Sequence, residues 1–340
     1  MTRCRLGALP LLAFSRAAAS ATFQSVWTPA GVQSEHVHSL WLVMLGLCGV
    51  VFGAVFIAFL LAIGRAPRVD ETSEPQTSRT VGGERGAQRA VAIGAALSIA
   101  GLLALIVASV VTDRALASLS LENGFAIEVS GKQWWWQATY YPGDPQRTFE
   151  TANELHIPVG KPVVLKLSSP DVIHSFWVPS LAPKKDMIPG RTLTLTLRAD
   201  KAGVYRGQCA EFCGFQHAKM AFLVYADEPA QYEAWVRLQQ RSASEPSDAI
   251  AKRGRDVFMS SPCVMCHTIQ GTTAQAKLGP DLTHVASRAT LAAGVLPNAR
   301  GPLSGWITNP QQIKPGTNMP AVALPPEDLH ALVTYLESLR

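Results

Sequence analysis

The chain has 340 residues and a formal net charge of +5, which is enough length for two or three domains. Its basic residues form no long run, so nucleic-acid binding is not expected. Six cysteines are few for a disulfide scaffold, and four of them fall in two pairs with the spacing of metal or haem ligands.

Residues 1–21 have the pattern of a secretory signal peptide. Arg3 and Arg5 precede the apolar stretch Leu6–Phe14, and residues 17–21 are all Ala or Ser. We therefore expect export of the chain, with cleavage near Ala21.

Two uncharged stretches follow, at 39–64 and 90–111. Each is long enough to cross a bilayer as a helix. The alternative is a pair of buried core helices, but uncharged runs this long and this rich in Leu, Val, Ile and Phe are rare in soluble domains. Residues 22–113 are therefore predicted to form a transmembrane hairpin, with 65–89 as its connector.

The distribution of arginines predicts how the hairpin is oriented. The connector 65–89 contains five arginines, whereas residues 22–38 contain no Lys or Arg. The positive-inside rule then places the connector in the cytoplasm. We expect a protein that crosses a bacterial-type inner membrane twice, with everything after Asp113 on the periplasmic or outer side.

The segment 125–227 alternates β-rich runs with turn residues, which predicts a β-sandwich or small barrel. The runs are Phe125–Tyr141, Leu155–Ser168, Val172–Val178, Thr192–Arg198 and Phe222–Val224.

A dense set of metal-ligand types lies in Gly-Gln-Cys-Ala-Glu-Phe-Cys-Gly-Phe-Gln-His-Ala-Lys-Met, at 207–220. Thiolate, thioether and imidazole together favour copper. A mononuclear blue-copper site uses a single cysteine, so Cys209 and Cys213 are better explained as bridges between two copper ions. His217 and Met220 supply further ligands, and a second imidazole is available from His174 on a predicted strand.

Two alternatives apply to the cysteine pair. A short-loop disulfide is common in exported domains, but the flanking His and Met at ligand spacing argue against it. A zinc site is the other alternative, although a Met ligand and a set of two Cys, two His and one Met fit zinc poorly.

The stretch Asp-Val-Ile-His-Ser-Phe-Trp-Val-Pro, which starts at Asp171, and the copper motif together resemble cytochrome c oxidase subunit II. This resemblance implies an all-β, cupredoxin-like domain, here 114–240, that holds a dinuclear CuA centre. It also implies that Glu211 gives its backbone carbonyl to one copper and its carboxylate to a magnesium ion at the boundary with subunit I. Asp171 could orient His174, face the partner subunit, cap the chain or remain solvated.

The stretch Gly-Lys-Gln-Trp-Trp-Trp-Gln at 131–137 carries three tryptophans. On a strand, Trp134 and Trp136 would share one face and Trp135 would take the other. Simple burial in the core would explain them. The resemblance implies more, because in that family the first tryptophan of such a triplet is the point of electron entry, which is Trp134 here.

After a polar linker at 241–247, the sequence Cys-Val-Met-Cys-His appears at 263–267. This is the motif of covalent haem c attachment, with thioether bonds from Cys263 and Cys266 and an imidazole from His267 on the iron. A chance match or a thioredoxin-like redox pair are the alternatives.

Residues 248–340 resemble an all-α class I cytochrome c in the order of their elements. A predicted helix Asp248–Ser260 leads, and Leu-Gly-Pro-Asp-Leu, Asn-Met-Pro and a helix at Pro326–Leu339 follow the attachment motif. Met319 is then the second axial ligand of the haem iron. His284, His330 and Met265 are its competitors, but Met265 is trapped inside the attachment loop. Either histidine would give bis-histidine ligation with a lower potential.

The complete pattern resembles subunit II of a caa-type haem–copper oxidase, an oxidoreductase and translocase component with one haem c and two copper ions. The resemblance implies electron flow from an external cytochrome c or respiratory complex to the haem, then to CuA, then to subunit I, where oxygen is reduced to water. Subunits I and III are the expected partners.

Two other functions fit parts of the sequence. A redox sensor or free electron carrier would need neither two membrane helices nor Glu211. A nitrous-oxide reductase shares the copper motif but needs a second, histidine-rich catalytic domain, and this chain has eight scattered histidines.

One position departs from the resemblance. Many subunit II chains begin their second span with Glu-x-x-Trp-Thr, whose glutamate assists proton uptake, whereas this span opens with Gln88 and Arg89 and has no carboxylate. We predict that the subunit does not supply this glutamate and that Glu84 is a weak substitute.

Overall fold

The computed structural model describes residues 24–65, 81–119, 124–141 and 144–340. The predicted signal peptide and most of the predicted connector lie outside these ranges. Of residues 81–84, including Glu84, the backbone is described and the side chains are not.

Two long helices lead the described chain, α1 (Val32–Arg65) and α2 (Val81–Ala117). Both are long and apolar enough to cross a membrane, and no residue of their apolar windows is buried inside the protein. They contain the stretches 39–64 and 90–111 and extend beyond them. A helix satisfies its backbone hydrogen bonds internally. It can therefore continue past the last apolar residue of each stretch.

Two five-stranded sheets form the middle of the molecule, as the β pattern predicted. The first has the order β3 (Phe149–Ala152), β2 (Trp135–Tyr140), β1 (Phe125–Lys132), β5 (Val163–Ser168) and β8 (Leu193–Leu197). The second has the order β4 (Glu154–Pro158), β10 (Ala221–Asp227), β9 (Gly203–Cys209), β6 (His174–Val178) and β7 (Ala182–Met187).

A shared core lies between the sheets. Alternate residues of the strands are buried, among them Ile127 and Leu165, as expected for strands with one face on a core. Trp136 is its aromatic centre, with ring centroids 5.9 Å from Phe176 and 4.9 Å from Phe222.

Trp134 lies in a turn, whereas the sequence pattern placed it on a strand. The run 125–141 folds as a hairpin, in which Lys132 pairs with Trp135 and the two intervening residues form the turn. Trp134 is nevertheless buried with Trp136, whereas Trp135 is only partly buried. Side-chain packing, rather than strand alternation, therefore decides the burial of Trp134.

The membrane part is joined directly to the sandwich. The N–H of Ala30 donates to the carbonyl of Ser180 at 2.8 Å, and the N–H of Asp200 donates to the carbonyl of Ala30 at 2.7 Å. The hydroxyl of Ser34, in the first turn of α1, also donates to Ser180 at 2.7 Å. These bonds fix the start of α1 against two loops of the sandwich, one between β6 and β7 and one between β8 and β9.

A helix that the sequence pattern did not reveal, α3 (Pro229–Gln239), follows β10 and covers one end of the sandwich with Tyr232 and Val236. The C-terminal part is helical, as predicted. Its helices are α4 (Ala249–Ser260), α5 (Arg300–Thr308), α6 (Pro310–Ile313) and α7 (Pro326–Ser338).

Helices α4 and α7 cross closely and hold the C-terminal core. A Cβ on Gly254 would lie 2.0 Å from the carbonyl oxygen of Ala331, so only glycine fits at the crossing. Phe258 and Tyr335 pack in the core beside this point, with ring centroids 6.4 Å apart.

The segment 241–247 lies against the C-terminal part. The N–H of Ala243 donates to the carbonyl of Gln270 at 2.9 Å, and the carbonyl of Arg241 accepts a bond from His284 at 3.0 Å. The segment is therefore held by specific bonds along its path.

Candidate metal and haem sites

The two cysteines of the copper motif lie side by side and unbonded at the rim of the sandwich. The distance between the sulfurs of Cys209 and Cys213 is 3.7 Å, far beyond the roughly 2.05 Å of a disulfide. Both side chains are buried. This geometry argues against the disulfide alternative.

The other predicted copper ligands surround the two sulfurs. Nδ1 of His174 lies 3.8 Å from the sulfur of Cys209, and Nδ1 of His217 lies 3.6 Å from that of Cys213. The sulfur of Met220 lies 3.8 Å from that of Cys213. One imidazole therefore faces each thiol.

Strand register explains how His174 reaches a loop far away in sequence. In the pairing of β6 with β9, Phe176 is opposite Cys209, and the N–H of Ala210 donates to the carbonyl of Ser175 at 3.0 Å. The start of β6 is thereby fixed beside the end of β9, where the cysteine loop begins.

The two halves of Glu211 have different surroundings. Its backbone oxygen lies 3.2 Å from the sulfur of Cys209. Its half-exposed carboxylate lies 3.4 Å from Nζ of Lys184, which also lies 3.5 Å from a carboxylate oxygen of Asp186. The carbonyl belongs to the sulfur cluster and the carboxylate lies outside it.

Asp171 orients His174, one of the alternatives that the sequence left open. Its Oδ1 lies 2.9 Å from Nε2 of the imidazole, and its Oδ2 accepts the N–H of Gln133 at 2.7 Å. Burial opposes ionisation of Asp171, but the N–H groups of Gln133 and Val172 and the imidazole together lower its pKa. With Nε2–H bonded to Asp171, Nδ1 of His174 is free for a metal.

The imidazole of His174 is also held by packing. It is fully buried, and its ring centroid lies 6.2 Å from that of Trp136. A Cβ on Gly131 would lie 3.1 Å from the ring, so glycine at this position allows β1 to approach the histidine.

The two thiols influence each other's ionisation. A hydrogen bond from Cys213 lowers the pKa of Cys209, against the effect of burial, and His174 lowers it further. The same hydrogen bond raises the pKa of Cys213, with burial adding to the effect. A positive charge between the sulfurs would stabilise both thiolates, so both thiols could ionise.

The complete donor set is two sulfurs, two imidazoles, one thioether and one carbonyl. A structural zinc ion takes four ligands, which are usually thiolates and imidazoles. The set here is larger, and its two imidazoles face different sulfurs. It fits two copper ions bridged by thiolates.

Trp134 connects the surface of the sandwich to the cysteine loop. Its indole N–H donates to the carbonyl of Cys213 at 2.9 Å, and the side-chain amide of Gln133 donates to the same carbonyl at 2.8 Å. The indole is only 8% exposed because the C-terminal part covers it.

The haem-attachment motif occupies a 3₁₀ turn and the residues after it. Cys263 and Cys266 are partly buried, and the N–H of His267 donates to the carbonyl of Cys263 at 3.0 Å. Nδ1 of His267 lies 2.7 Å from the carbonyl oxygen of Pro280. Burial lowers the pKa of this imidazole, although the bond to Pro280 opposes the shift. A neutral ring with Nδ1–H bonded leaves Nε2 for iron, as the haem site requires.

Met319 lies on a loop that one glutamine holds. The side-chain amide of Gln311 donates to the carbonyls of Thr317 at 2.7 Å and Met319 at 3.0 Å. The competing ligands have other contacts, since Nε2 of His284 bonds to Arg241 and Nδ1 of His330 lies 3.1 Å from Arg300. These contacts favour Met319 over both histidines.

Lys314 contacts the β-sandwich, in the domain predicted at 114–240, and the sequence pattern did not single it out. Its Nζ donates to the carbonyl of Trp134 at 2.6 Å. No local signal could have identified it, because lysines on loops are usually exposed.

A sandwich with a dithiolate cluster, a helical domain with Cys-x-x-Cys-His and two apolar helices together define a membrane-anchored electron-transfer protein. Family models agree: the periplasmic domain of cytochrome c oxidase subunit II matches residues 141–226, and cytochrome c matches 251–340. The subunit 2 of cytochrome c oxidase from Alkalihalophilus pseudofirmus is 34% identical over 324 residues, which cover 92% of this chain and 90% of that protein. The chain belongs to the cytochrome c oxidase subunit II family.

A second relative and a solved structure are also similar to parts of this chain. Subunit 2 of the Bacillus sp. PS3 enzyme is 32% identical over 75% of each chain. The crystal structure of the periplasmic domain of subunit II from Bradyrhizobium japonicum is 31% identical, with a TM-score of 0.32, and covers 34% of this chain and 93% of that one.

Membership of the cytochrome c oxidase subunit II family has several consequences for this chain. The chain is a subunit of a haem–copper oxidase, an oxidoreductase complex, and has an electron-transfer role. Its sandwich implies a CuA copper centre and its C-terminal domain implies a haem. It associates with other oxidase subunits and is anchored in a membrane with periplasmic domains.

Proposed function

We propose that this chain passes electrons from an external donor through haem c to a dinuclear CuA centre and on to subunit I. When bound, the haem would supply single electrons, which the copper pair would accept. The protein would hold the haem, the copper pair and the side chains that lie between them.

The copper pair would be held by two bridging thiolates, from Cys209 and Cys213, with His174 and His217 as terminal ligands. Met220 and the carbonyl of Glu211 would complete the set. The support is the set of distances between neighbouring donor atoms, each of which is between 3.2 and 3.8 Å. The haem would be attached to Cys263 and Cys266, with His267 and Met319 as axial ligands.

A magnesium ion at the boundary with subunit I would take the carboxylate of Glu211, because Mg²⁺ prefers oxygen ligands. The carboxylate contacts Lys184, which Asp186 also contacts. The single positive charge of Lys184 faces two carboxylates, and a divalent magnesium ion in its place would neutralise both.

The proposed arrangement has a signal peptide at 1–21, a hairpin at 22–113 with a cytoplasmic connector, and copper and haem domains at 114–240 and 248–340. The membrane is a bacterial-type inner membrane. Its partners are subunits I and III and an external cytochrome c or respiratory complex.

One observation carries this proposal: the indole of Trp134 is bonded to the carbonyl of Cys213 at 2.9 Å and lies beneath the haem domain. A group between two redox domains, with a direct hydrogen bond to a copper ligand, is well placed for electron entry. A free carrier or sensor gives no reason for this contact or for two membrane helices.

The test is spectroscopy of the purified full-length chain, loaded with copper and haem. We expect an electron paramagnetic resonance signal from one unpaired electron shared by two coppers, and the visible spectrum of a low-spin His/Met haem. After flash reduction of the haem, copper should be reduced within the same molecule. A mononuclear copper signal, or a haem that cannot reduce copper, would contradict the proposal.

A further inference from the structure

A positively charged side chain is buried between the copper and haem domains. Only 2% of Lys314 is exposed. Its Nζ donates to the carbonyl of Trp134 in the copper domain at 2.6 Å and to that of Ala292 in the haem domain at 3.1 Å. One ammonium group therefore bonds to both domains.

Burying an ammonium group is costly, so its position requires compensation. Burial lowers the pKa of Lys314 to about 7, with the thiol of Cys213 acting in the opposite direction and Lys219 adding to the shift. The two backbone carbonyls are its direct hydrogen-bond partners. Moving the domains apart would return the lysine to water but leave the turn at Trp134 without this contact.

The neighbours of Lys314 contact the same part of the copper domain. The carbonyl of Pro315 accepts a bond from the buried side chain of Gln216 at 2.6 Å, and that of Ile313 accepts one from Lys219 at 2.7 Å. A Cβ on Gly316 would lie 3.7 Å from Cη2 of Trp134. Residues 313–316, which we call the docking segment, therefore lie on the tryptophan.

The docking segment leads directly into Met319. The tryptophan beneath it is bonded to the carbonyl of Cys213. A continuous path of contacts thus runs from the loop of a proposed haem ligand, through Trp134, to a proposed copper ligand.

We propose that Lys314 is a positioning residue for electron transfer, whose Nζ holds the Met319 loop against the backbone of Trp134. This inference rests on the proposed function above. Transfer between two redox groups falls steeply with their separation, and small displacements of reacting groups have large kinetic effects. Because the contact is buried, dissolved salt screens it little.

The test uses Lys314→Met in the full-length protein with copper and haem bound. Methionine keeps most of the length and apolar surface of lysine but donates no hydrogen bond. Two amides report on docking, because the N–H of Ala221 donates to Ala293 at 3.0 Å and the N–H of Ala289 donates to Glu154 at 2.7 Å, both across the interface. We expect their hydrogen exchange, measured by mass spectrometry of peptides, to accelerate about tenfold or more.

Flash-induced reduction of copper by the haem is the second measurement. We expect Lys314→Met to slow it about tenfold, while the shared-electron copper signal and the His/Met haem spectrum stay unchanged. Lys277→Met is the matched control, because the exposed Lys277 pairs with the partly buried Glu150 across the same interface at 2.8 Å. It should change exchange and transfer by less than twofold, since an ion pair with an exposed lysine contributes little.

The outcomes separate this inference from the function on which it rests. Failure of haem-to-copper transfer in the unaltered chain would refute the proposed function. If haem-to-copper transfer is equally fast in the unaltered chain and in Lys314→Met, the positioning role is overturned, whether or not hydrogen exchange accelerates. Equal slowing in Lys277→Met would overturn it too. If Lys314→Met does not accumulate, Lys314→Gln takes its place. Its uncharged amide group lies on a shorter side chain than that of lysine, so slower transfer and faster exchange are again expected.

Discussion

The copper cluster and the haem-binding segment fix their most distant ligands in different ways. In the copper domain, His174 is set beside Cys209 by strand register and is fully buried, with Asp171 and Gly131 holding its ring. In the haem domain, Met319 lies on a partly exposed loop whose shape depends on side-chain bonds from Gln311.

The difference shows which contacts each site depends on. A ligand fixed by a sheet moves only if the sheet changes register, which would turn every side chain of the strand over. A ligand on a loop depends on a few hydrogen bonds and, here, on a neighbouring domain. We therefore expect the copper cluster to respond chiefly to changes in its own ligands, and the Met319 loop to respond also to changes at the domain interface.

The largest effect is expected from Cys213→Ser. A hydroxyl cannot replace a bridging thiolate, so the two coppers would no longer share one electron. Electron paramagnetic resonance should show loss of the shared-electron signal, while the haem spectrum is unchanged. A normal dinuclear signal in this variant would show that Cys213 is no bridge.

The corresponding change in the haem domain is Met319→Ala. We expect the haem to remain attached through Cys263 and Cys266, because the thioether bonds are covalent, but to lose the spectrum of His/Met ligation. Visible and magnetic circular dichroism spectra measure this. An unchanged spectrum would mean that a histidine is the axial ligand, and His284→Ala and His330→Ala would then identify which one.

A smaller effect is expected from Asp171→Asn, which keeps the shape of the side chain but removes its charge. The carboxylate accepts the N–H of His174, and loss of such a partner typically reduces metal affinity roughly 10- to 100-fold. Competition with a copper chelator measures the affinity. Asp186→Asn is the control, because Asp186 contacts Lys184 rather than a predicted copper ligand. Equal copper affinities in the unaltered protein, Asp171→Asn and Asp186→Asn would exclude an orienting role for Asp171.

A smaller change still is expected from Met220→Leu. The thioether is a weak ligand that tunes rather than assembles the site. Copper content should stay the same, while the hyperfine pattern shows an altered distribution of the unpaired electron. Loss of copper from this variant would show that Met220 assembles the cluster.

The smallest effect is expected from salt. Each soluble domain has a small net charge, and the interface includes the buried groups Lys314 and Glu154. Haem-to-copper transfer in the intact chain should change by less than about twofold between low and high ionic strength, because buried contacts are screened little. Flash kinetics at several salt concentrations measure this. A rate that falls several-fold would indicate docking by exposed charges.

The sequence indicated the candidate ligands because ligation depends on residue chemistry at short spacing. The motif at 207–220 and the pentapeptide at 263–267 carry most of their donors within a few residues. Strand boundaries were predicted less well: the run 125–141 became a hairpin, and α3, β3, β7 and β9 had no recognised signal. Short elements are stabilised mainly by packing, which local sequence does not record.

The amino-acid sequence by itself determined the order of parts, the two apolar helices, the copper and haem motifs and the family resemblance. Each depends on composition or on residues close together in the chain. Only the tertiary structure decided that Asp171 orients His174, that Trp134 bonds to Cys213 from a turn, and that Lys314 is buried on Trp134. Those contacts join residues between three and 180 positions apart, and the folding of sheets and domains against one another brings the distant ones together.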